Sequence, residues 1–440
     1  MTTYNRKFHP CRWLCCYLVA ALPLLLAACT ADDSIDSAAT SLTIGVTEQP
    51  WQTEDISITR SGETLTALQA SGFGLYSAGL GISNEQVTWS DTKWALAHTL
   101  IWPKTRPNDF YAYAPYAADP DITNGVYTFS CPNNNTTDLL YGQYASTTGD
   151  VVNLQFHHAL AKLAFNSIAN SSARDMLVSD IKVTGDLYSS GKLTLSTGAW
   201  AEQVTASGQT IQIIPDNKFI YVPAQGENPV RSSVSPLLIP EPTVTVSYEV
   251  YNEGTDMTEC NASLFHNWNG WTGSAEANND VIQDGEYNYI DGVGKPLHKG
   301  DVIIGTSTVW YKTFADITAY DKIVIVGTPE LKVRVLLNRQ EGTGTGGDGG
   351  TLIEKYGSIN SDGYLVIDLS DITDGYKHLN AIKVQFYDES VTEVLGTVTK
   401  VLLVKTTHPH TVSGTTVLEQ GKEKTFHLKV GVNHEVVIED

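Results

Sequence analysis

Basic residues are scarce in this chain of 440 residues, which has 28 Lys and Arg against 49 Asp and Glu and a formal net charge of −21. Nucleic-acid binding needs clustered Lys and Arg, so this balance excludes that class. The chain also lacks long amphipathic helical patterns and repeated apolar spans, which excludes coiled coils and polytopic membrane proteins. The chain is instead rich in aromatic and small residues, with 21 Tyr and 9 Trp beside many Thr, Ser, Gly and Val. This composition is typical of an all-β extracytoplasmic protein.

One long apolar run is present, at the N-terminus. Three basic residues precede it, it covers residues 13–28, and Cys29 follows the small residues Ala27 and Ala28. The run is short for a membrane span, and this order of features is typical of a secretory signal. Its end resembles the lipobox of bacterial lipoproteins, which implies that residues 1–28 are removed as a signal peptide and that Cys29 is acylated, as with palmitate. The alternative is a plain signal peptide with a chance Cys. Residues 29–41 are small, polar and acidic, which predicts a flexible tether.

Cysteine is scarce in the mature chain. Beyond Cys29, the mature sequence contains Cys131 and Cys260. Two distant Cys have no spacing signature, so we expect no metal site built from Cys. Unpaired thiols are the favoured interpretation, and a single disulfide in an oxidising compartment is the alternative.

The dominant hydrophobic period along the mature chain is two. Residues 243–250, 331–337 and 424–430 alternate cleanly between apolar and polar side chains, and similar runs recur between Gly, Asn, Asp, Ser and Pro. Only residues 157–165 could pass for a short helix. The glycine-rich run at 342–350 contains a formal G-x-G-x-x-G, but no helical pattern follows it, so we interpret it as a loop. The predicted fold class is all-β, built from stacked sandwiches.

Several phrases in the first half resemble the fimbrillin family of type V pilins and their lipoprotein relatives. They are Phe-Gly-Leu-Tyr at 73–76, Asp-Phe-Tyr-Ala-Tyr-Ala-Pro-Tyr at 109–116, Asp-Leu-Leu-Tyr-Gly at 138–142, Val-Asn-Leu-Gln-Phe-His-His-Ala-Leu-Ala-Lys-Leu at 152–163 and Phe-Ile-Tyr-Val-Pro at 219–223. Their order and spacing match over residues 42–257. The resemblance implies two tandem transthyretin-like β-sandwiches, at 42–160 and at 161–257 with 406–440. It also implies a lipid-anchored protein of the outer membrane, cell surface or fimbrium.

The resemblance further implies that other pilin subunits are partners, through donation of a strand from one subunit to a groove in the next. In the family an arginine-specific cut removes the first strand and opens that groove. Arg60 is the matching residue, and the alternative is an ordinary solvated Arg in a loop. The run at 425–440 is the candidate donor, or else the last strand of its own domain. A donated strand satisfies both the backbone groups and the apolar pockets of an open sheet edge.

From about residue 258 the sequence departs from the pilin pattern. Residues 258–405 resemble the galactose-binding-like jelly rolls appended to many bacterial surface proteins, on phrases at 263–271, 310–325, 336–339, 365–370, 378–384 and 398–404. The phrase at 418–430 again resembles the closing strand of a pilin, so the jelly roll is expected to be inserted into the second sandwich. Such insertion is allowed because the termini of small domains often lie close together.

A jelly roll of this kind suggests a host or microbial glycan as a ligand. Sugar binding needs flat apolar faces, with hydrogen-bonding side chains at their edges. The alternative is that the Trp side chains belong to a core. The predicted faces are Trp268, Trp271, Trp310 and Tyr311, and the predicted polar contacts are His266, Asn338 and Arg339.

The adjacent His157 and His158 suggest a metal or catalytic role at first sight. Neighbouring residues on a strand point to opposite faces, and no carboxylate cluster lies beside them in the sequence. We therefore expect a structural role for both, and core or corner roles for Tyr111, Tyr113 and Tyr116. No G-x-S-x-G or H-E-x-x-H motif and no distinctive carboxylate pair occurs, so we expect no catalytic residues, no metal and no cofactor.

Together these features predict an accessory or tip pilus subunit that is no enzyme. It would assemble by strand exchange and present a lectin-like module for adhesion. The alternative is a monomeric, surface-exposed glycan-binding lipoprotein.

Overall fold

The computed structural model of the chain describes strands joined by turns, which confirms the all-β class. The described residues all belong to one unit, Ser41–Asp440, and within them no helix is long and apolar enough to cross a membrane. The residues that the structure describes are 42–52, 61–100, 108–146, 151–232, 234–251, 257–259, 290–291, 293–297, 302–305, 314–315, 319–339, 352–372, 380–386, 396–406, 409–432 and 434–439.

The first part of the chain forms a mixed sheet. The strands of this part of the chain are β1 Thr43–Glu48, β2 Phe73–Ser77, β3 Ile82–Ser90, β4 Lys93–Leu96, β5 Asn108–Ala114, β6 Ile122–Thr123, β7 Val126–Ser130, β8 Leu140–Ser146 and β9 Val151–His158. All of them except β6 and β7 belong to the mixed sheet. The sheet order is β1-β9-β8-β5-β2-β3-β4, with β1 parallel to β9 and the other neighbours antiparallel. Val152, Leu154 and Phe156 of β9 are fully buried and the residues between them are exposed, as the period of two requires.

The next part of the chain is organised around one very long strand. The strands are β10 Ala161–Asn170, β11 Met176–Thr194, β12 Ala199–Ile214, β13 Ile220–Val222, β14 Glu227–Pro229, β15 Leu237–Leu238 and β16 Thr243–Tyr251. The start of β11 pairs with β13 and β16, whereas its end, Ser190–Thr194, pairs with β7. Strand β11 therefore lies in one sheet with β16. The same sheet also contains β7 and β6, which come from the first part of the chain.

Two sheets follow, between residues 257 and 404. Their strands are β17 Met257–Glu259, β18 Ile290–Asp291, β19 Val302–Gly305, β20 Phe314–Ala315, β21 Lys322–Gly327, β22 Lys332–Arg339, β23 Leu352–Ser358, β24 Tyr364–Asp368, β25 Asn380–Phe386 and β26 Val398–Val404. One sheet has the order β17-β26-β21-β24 and the other β18-β19-β25-β22-β23, with β20 on β25. Ile323, Val335 and Leu403 lie in the common core of these two sheets. The glycine-rich run at 342–350 lies outside the described residues.

The chain then returns to the sheets of its second part. The closing strands are β27 His410–Val417, β28 Glu423–Val430 and β29 Glu435–Glu439. Strand β27 pairs with β16, β28 pairs in parallel with β10, and β29 forms a hairpin with β28. Phe426, Leu428 and Val430 of β28 are fully buried in the core that also holds Val246 and Tyr248 of β16.

The α-helix of the described residues is not where the sequence suggested a helix. Residues 157–158 end β9 and residues 161–165 begin β10, because their alternating side chains fit the faces of a sheet. The helix α1 is instead Ser61–Ser71, whose Leu68 is buried in the core of the first sheet. It ends at Gly72, which has φ = +66° and donates its N–H to the carbonyl of Leu68 at 2.9 Å, as in a left-handed C-cap.

Candidate functional site

Strand β1 is the first described strand of the chain, and it forms an edge of its sheet. It pairs with β9 in parallel, in a register that places Ile44 opposite Val152, Val46 opposite Leu154 and Glu48 opposite Phe156. Leu42 and Ile44 are buried in the core formed with Phe73 and Phe156, and Val46 packs against it. One segment from the start of the chain thus closes both the hydrogen-bonded edge and the apolar core of this sheet.

The residues directly after β1 connect this sheet to the closing strands. Gln49 donates its backbone N–H to the carbonyl of Phe156 at 2.8 Å. Gln52 donates its N–H to the carbonyl of Gly421 at 3.0 Å and accepts from the N–H of Glu423 at 3.3 Å, just where β28 begins. The segment 49–52, which we call the clasp, therefore holds β1 to the second part of the chain as well as to the first.

A buried polar cluster lies where β1 meets the clasp. His158 Nδ1 donates to Asp138 Oδ2 at 2.6 Å, and the His158 side chain is only 1% exposed. Trp51 of the clasp stacks on the imidazole of His158 at 3.8 Å between ring centroids. Within the described residues, both carboxylate oxygens of Glu48, Oδ1 of Asp138 and Nε2 of His158 are buried and have no hydrogen-bond partner. We call Glu48, Asp138 and His158 the acid–histidine cluster.

The surroundings of the cluster shift the pKa of Glu48. Burial raises the pKa of Glu48, the His158 charge lowers it, and the Asp138 carboxylate raises it again. A cavity of about 300 Å³ adjoins the cluster, and its lining includes His158, His157, Tyr141 and Gln52.

The two adjacent histidines point apart, as the alternation on a strand predicts. His157 stacks on Tyr141 at 5.3 Å, whereas His158 faces Asp138 and Trp51. The carboxylates beside His158 were not visible in the sequence, since Asp138 and Glu48 lie on other strands and loops. No group of His, Cys, Asp and Glu with metal-binding geometry occurs among the residues that the structure describes.

The tyrosines of the 109–116 phrase lie near the junction of the first sheet with β7. Tyr113 is fully buried, and Tyr111 stacks on Tyr76 at 5.6 Å between ring centroids. Cys131 carries a free, buried thiol, and burial raises its pKa to about 11. Cys260 lies outside the described residues.

Most of the sequence-predicted site residues lie outside the described residues. Asn338 and Arg339 end β22, where their backbones pair with β25. The positions outside the described residues are Cys29, Arg60, His266, Trp268, Trp271, Trp310 and Tyr311.

A cleft that the sequence did not indicate lies between the second part of the chain and β24. Its volume is about 410 Å³, and its walls include Phe219, Arg231, Lys322 and Tyr364. Arg231 makes an ion pair with Asp362, whose Oδ1 and Oδ2 lie 2.7 and 2.8 Å from Nε of Arg231. Lys322 Nζ lies 5.3 Å from the ring centroid of Phe219. Aromatic, charged and hydroxyl groups thus meet in one concave surface, which is typical of a site for a polar organic ligand.

The family model described as Fimbrillin-like matches residues 45–267, which is just over half of the chain. No curated protein matches.

Several solved structures are similar to this chain. A candidate cell adhesion protein from Bacteroides ovatus has 17% identity and a TM-score of 0.34, over 48% of this chain and 83% of its own. A fimbrial protein from the same species has 13% identity and a TM-score of 0.25, over 44% and 47%. The fimbrial anchor protein Mfa2 from Porphyromonas gingivalis has 12% identity and a TM-score of 0.24, over 47% and 77%. On the family match, this chain belongs to the fimbrillin-like family, whose members are structural and adhesion proteins of the cell surface and not enzymes.

Proposed function

We propose that this chain is an accessory or tip subunit of a fimbria. It would be exported as a lipoprotein through Cys29, assemble by strand exchange, and present a lectin-like module for adhesion. The observation that supports this proposal most directly is the position of β1, which fills the edge and the core of its sheet from the start of the chain.

Loss of β1 would open a groove suited to a strand from another subunit. The backbone groups of β9 that now bond β1 would be unpaired, and the sites of Leu42, Ile44 and Val46 would be empty. Each buried aliphatic side chain contributes roughly 1.5–3 kcal/mol, so the open groove has a strong tendency to be refilled. An incoming strand with alternating apolar residues meets both requirements.

A cut after Arg60 is compatible with the rest of the fold. Helix α1 begins at Ser61, and the next strand of the sheet begins at Phe73. The cut would therefore remove β1 and the clasp while every later strand keeps its chain connection. This arrangement supports Arg60 as the maturation site.

The candidate donor run at 425–440 has two parts with different roles in the monomer. Strand β28 is buried in the core of its own sheet, as the last strand of a domain would be. Strand β29 lies at the edge of that sheet, where it pairs with β28. We therefore propose β29, and not β28, as the part that leaves to fill a neighbouring groove.

The division into domains is part of the same proposal. Two transthyretin-like sandwiches, at 42–160 and at 161–257 with 406–440, would be followed by a jelly roll at 258–405. The return of β27 and β28 to β16 and β10 supports an insertion. Strand β11 joins the two proposed sandwiches across their boundary at residue 160, because it pairs with β7 as well as with β16.

A protease experiment tests the strand-exchange proposal. The lipid-free mature chain is treated with an arginine-specific protease and analysed by mass spectrometry and size-exclusion chromatography. We expect a product that begins at Ser61 and forms polymers. The variant Arg60→Lys keeps the charge but resists that protease, so it should stay monomeric. A wild-type product that is cut at Arg60 and remains monomeric would refute the proposal.

A second candidate function is a monomeric glycan-binding lipoprotein of the cell surface. The cleft beside Phe219, Lys322 and Tyr364 favours it, because this surface needs no polymer to be complete. A glycan array with the whole chain tests the lectin-like module in either case. Binding that is lost in Phe219→Ala would locate the ligand in the cleft, and an array without signal would reduce the insert to a spacer.

A further inference from the structure

The side chain of Trp51 in the clasp fills a socket whose walls come from later parts of the chain. Its indole stacks on the imidazole of His158 at 3.8 Å between ring centroids, with 18° between the ring planes. Nζ of Lys162 also lies over the indole, 5.9 Å from the ring centroid. The indole packs as well against the apolar cluster that includes Leu139 and Leu160. A flat aromatic surface, an ammonium group and an apolar base thus meet at one side chain.

Both polar walls of the socket are held in place by residues outside the clasp. Nδ1 of His158 donates to Oδ2 of Asp138 at 2.6 Å, and the His158 side chain is buried, so the plane of its imidazole is fixed. Nζ of Lys162 pairs with Oε2 of Glu423 at 2.7 Å, and both of these side chains are largely buried. Neither contact involves residues 42–52, so the socket would keep its walls if the clasp left.

The backbone of the clasp sets the position of the indole. Glu48 is the last residue of β1 in register with β9. Gln49 and Gln52 then make backbone hydrogen bonds on either side of Trp51. Gln52 also forms an isolated parallel bridge with Lys422, directly before β28 begins. A chain that continues from β1 along this path therefore delivers the third side chain after Glu48 into the socket.

The chemistry of the socket favours an aromatic side chain over an aliphatic one. The face of an aromatic ring carries negative partial charge, which attracts the ammonium group of Lys162. A flat ring also stacks on the imidazole of His158, which stabilises the contact beyond the area that it buries. A leucine side chain can pack against the apolar cluster but makes neither of these interactions.

We propose that His158 and Lys162 form a subsite for one aromatic side chain, which Trp51 occupies in the intact chain. Trp51 precedes Arg60, so it would leave together with β1. A strand that replaces β1 and runs parallel to β9 should then bind most tightly when it carries an aromatic residue three positions beyond the one opposite Phe156. The partner is thus an extended segment of another subunit, with alternating apolar residues followed by an aromatic side chain. This second part rests on the proposed strand exchange, whereas the subsite belongs to the intact chain.

Hydrogen exchange on the intact chain tests the subsite. Protection of the amides of β1 is measured by mass spectrometry and compared with that of β22 in the wild type and in variants of Trp51. We expect β1 protection within about threefold of the wild type in Trp51→Phe, about tenfold lower in Trp51→Leu and at least about thirtyfold lower in Trp51→Ala. The reason is that Trp51→Phe keeps the stack and Trp51→Leu keeps only the apolar contact. If Trp51→Leu protects β1 as well as Trp51→Phe does, the socket is not selective for an aromatic ring and the proposal is wrong.

Two further variants separate the subsite from general stability. Trp89 of β3 is also half-buried, but its ring packs on Trp94 at 5.2 Å between centroids and not on the clasp. The control Trp89→Leu should therefore keep the protection of β1 relative to β22. Lys162→Met keeps a long apolar side chain and removes the ammonium group, so it should lower β1 protection more in the wild type than in Trp51→Leu. Equal losses in both backgrounds would show that Lys162 does not act through the indole.

Peptide displacement tests the selectivity for an incoming strand. The whole chain is cut at Arg60 with both fragments kept, and a labelled peptide of residues 42–52 is displaced by unlabelled peptides with Trp, Phe, Leu or Ala at position 51. We expect the Trp and Phe peptides to compete about tenfold more effectively than the Leu peptide, and the Ala peptide to be the weakest. Equal competition by all four would refute the selectivity. If no peptide binds the cut chain, the strand-exchange proposal fails, and hydrogen exchange on the intact chain still decides the subsite.

Discussion

Among individual residues, the buried polar groups are of two kinds. The hydroxyl of Tyr113 is fully satisfied, because it lies 3.0 Å from Asn84 Oδ1 and 2.9 Å from the carbonyl of Ala117 and accepts from the N–H of Ala117. The cluster around His158 is not satisfied. The sequence predicted structural roles for both and could not separate them, since the partners of a side chain come from distant parts of the chain.

Loss of the Tyr113 hydroxyl should destabilise the fold. In Tyr113→Phe the ring remains, but Asn84 and the backbone of Ala117 lose their buried partner, so the free energy of unfolding should fall by about 1–3 kcal/mol. Urea unfolding measures this change. The control Tyr356→Phe, at a side chain that is 54% exposed, should leave the midpoint unchanged. Equal shifts in both variants would contradict the assigned role of Tyr113.

The thiol of Cys131 should be unreactive in the folded chain. It is 1% exposed, its Sγ lies 3.4 Å from the carbonyl of Leu237, and burial holds its pKa near 11, so little thiolate forms at neutral pH. We expect iodoacetamide at pH 8 to label Cys131 only after denaturation, as measured by peptide mass spectrometry. Rapid labelling of the native chain would show that this core opens readily.

At the scale of secondary-structure elements, patterns of period two were reliable and irregular ones were not. The alternation at 243–250, 331–337 and 424–430 corresponds to β16, β22 and β28. Helix α1 was missed because its run of Ser, Thr and Ala lacks a regular apolar face and buries mainly Leu68. The length of β11 was also missed, since Gly185 and Gly191 resemble breaks in sequence but lie within a strand interrupted by bulges.

Among the side chains of strand β1, the inward-facing ones should contribute most to stability. Ile44 is 6% exposed and lies in the core of the first sheet, whereas its neighbour Thr43 is exposed. Replacement Ile44→Ala should lower the free energy of unfolding by about 2–5 kcal/mol, as for other buried aliphatic truncations. The matched variant Thr43→Ala should change it by less than about 0.5 kcal/mol. Thermal unfolding compares the two, and similar losses would mean that β1 is not held by its core face.

At the scale of the whole molecule, the sheets join parts of the chain that are distant in sequence. The change of pattern near residue 258 corresponds to new sheets, and the phrase at 418–430 corresponds to β28, which pairs with β10. The pairing of β7 with the end of β11 could not be foreseen, because it joins residues 126–130 to 190–194 across the first predicted boundary. Such contacts depend on three-dimensional packing that no local pattern encodes.

The sheets between residues 257 and 404 should unfold together with the second part of the chain. Tyr221 and Tyr251 on one side pack with Tyr364, Leu402 and Val404 on the other in a shared apolar cluster. Apolar burial of this kind couples two parts more strongly than exposed ion pairs do. Wild-type protein should therefore show a single transition in scanning calorimetry for these parts.

The variant Tyr364→Ala tests this coupling. Tyr364 is 7% exposed, and its ring lies 5.9 Å from that of Tyr221, so its truncation should cost about 3 kcal/mol and separate the transition into two. The control Arg231→Ala removes the ion pair with Asp362 but leaves the apolar cluster intact, and it should keep one transition. If Arg231→Ala separates the transitions and Tyr364→Ala does not, the ion pair and not the apolar cluster joins these sheets to the second part of the chain.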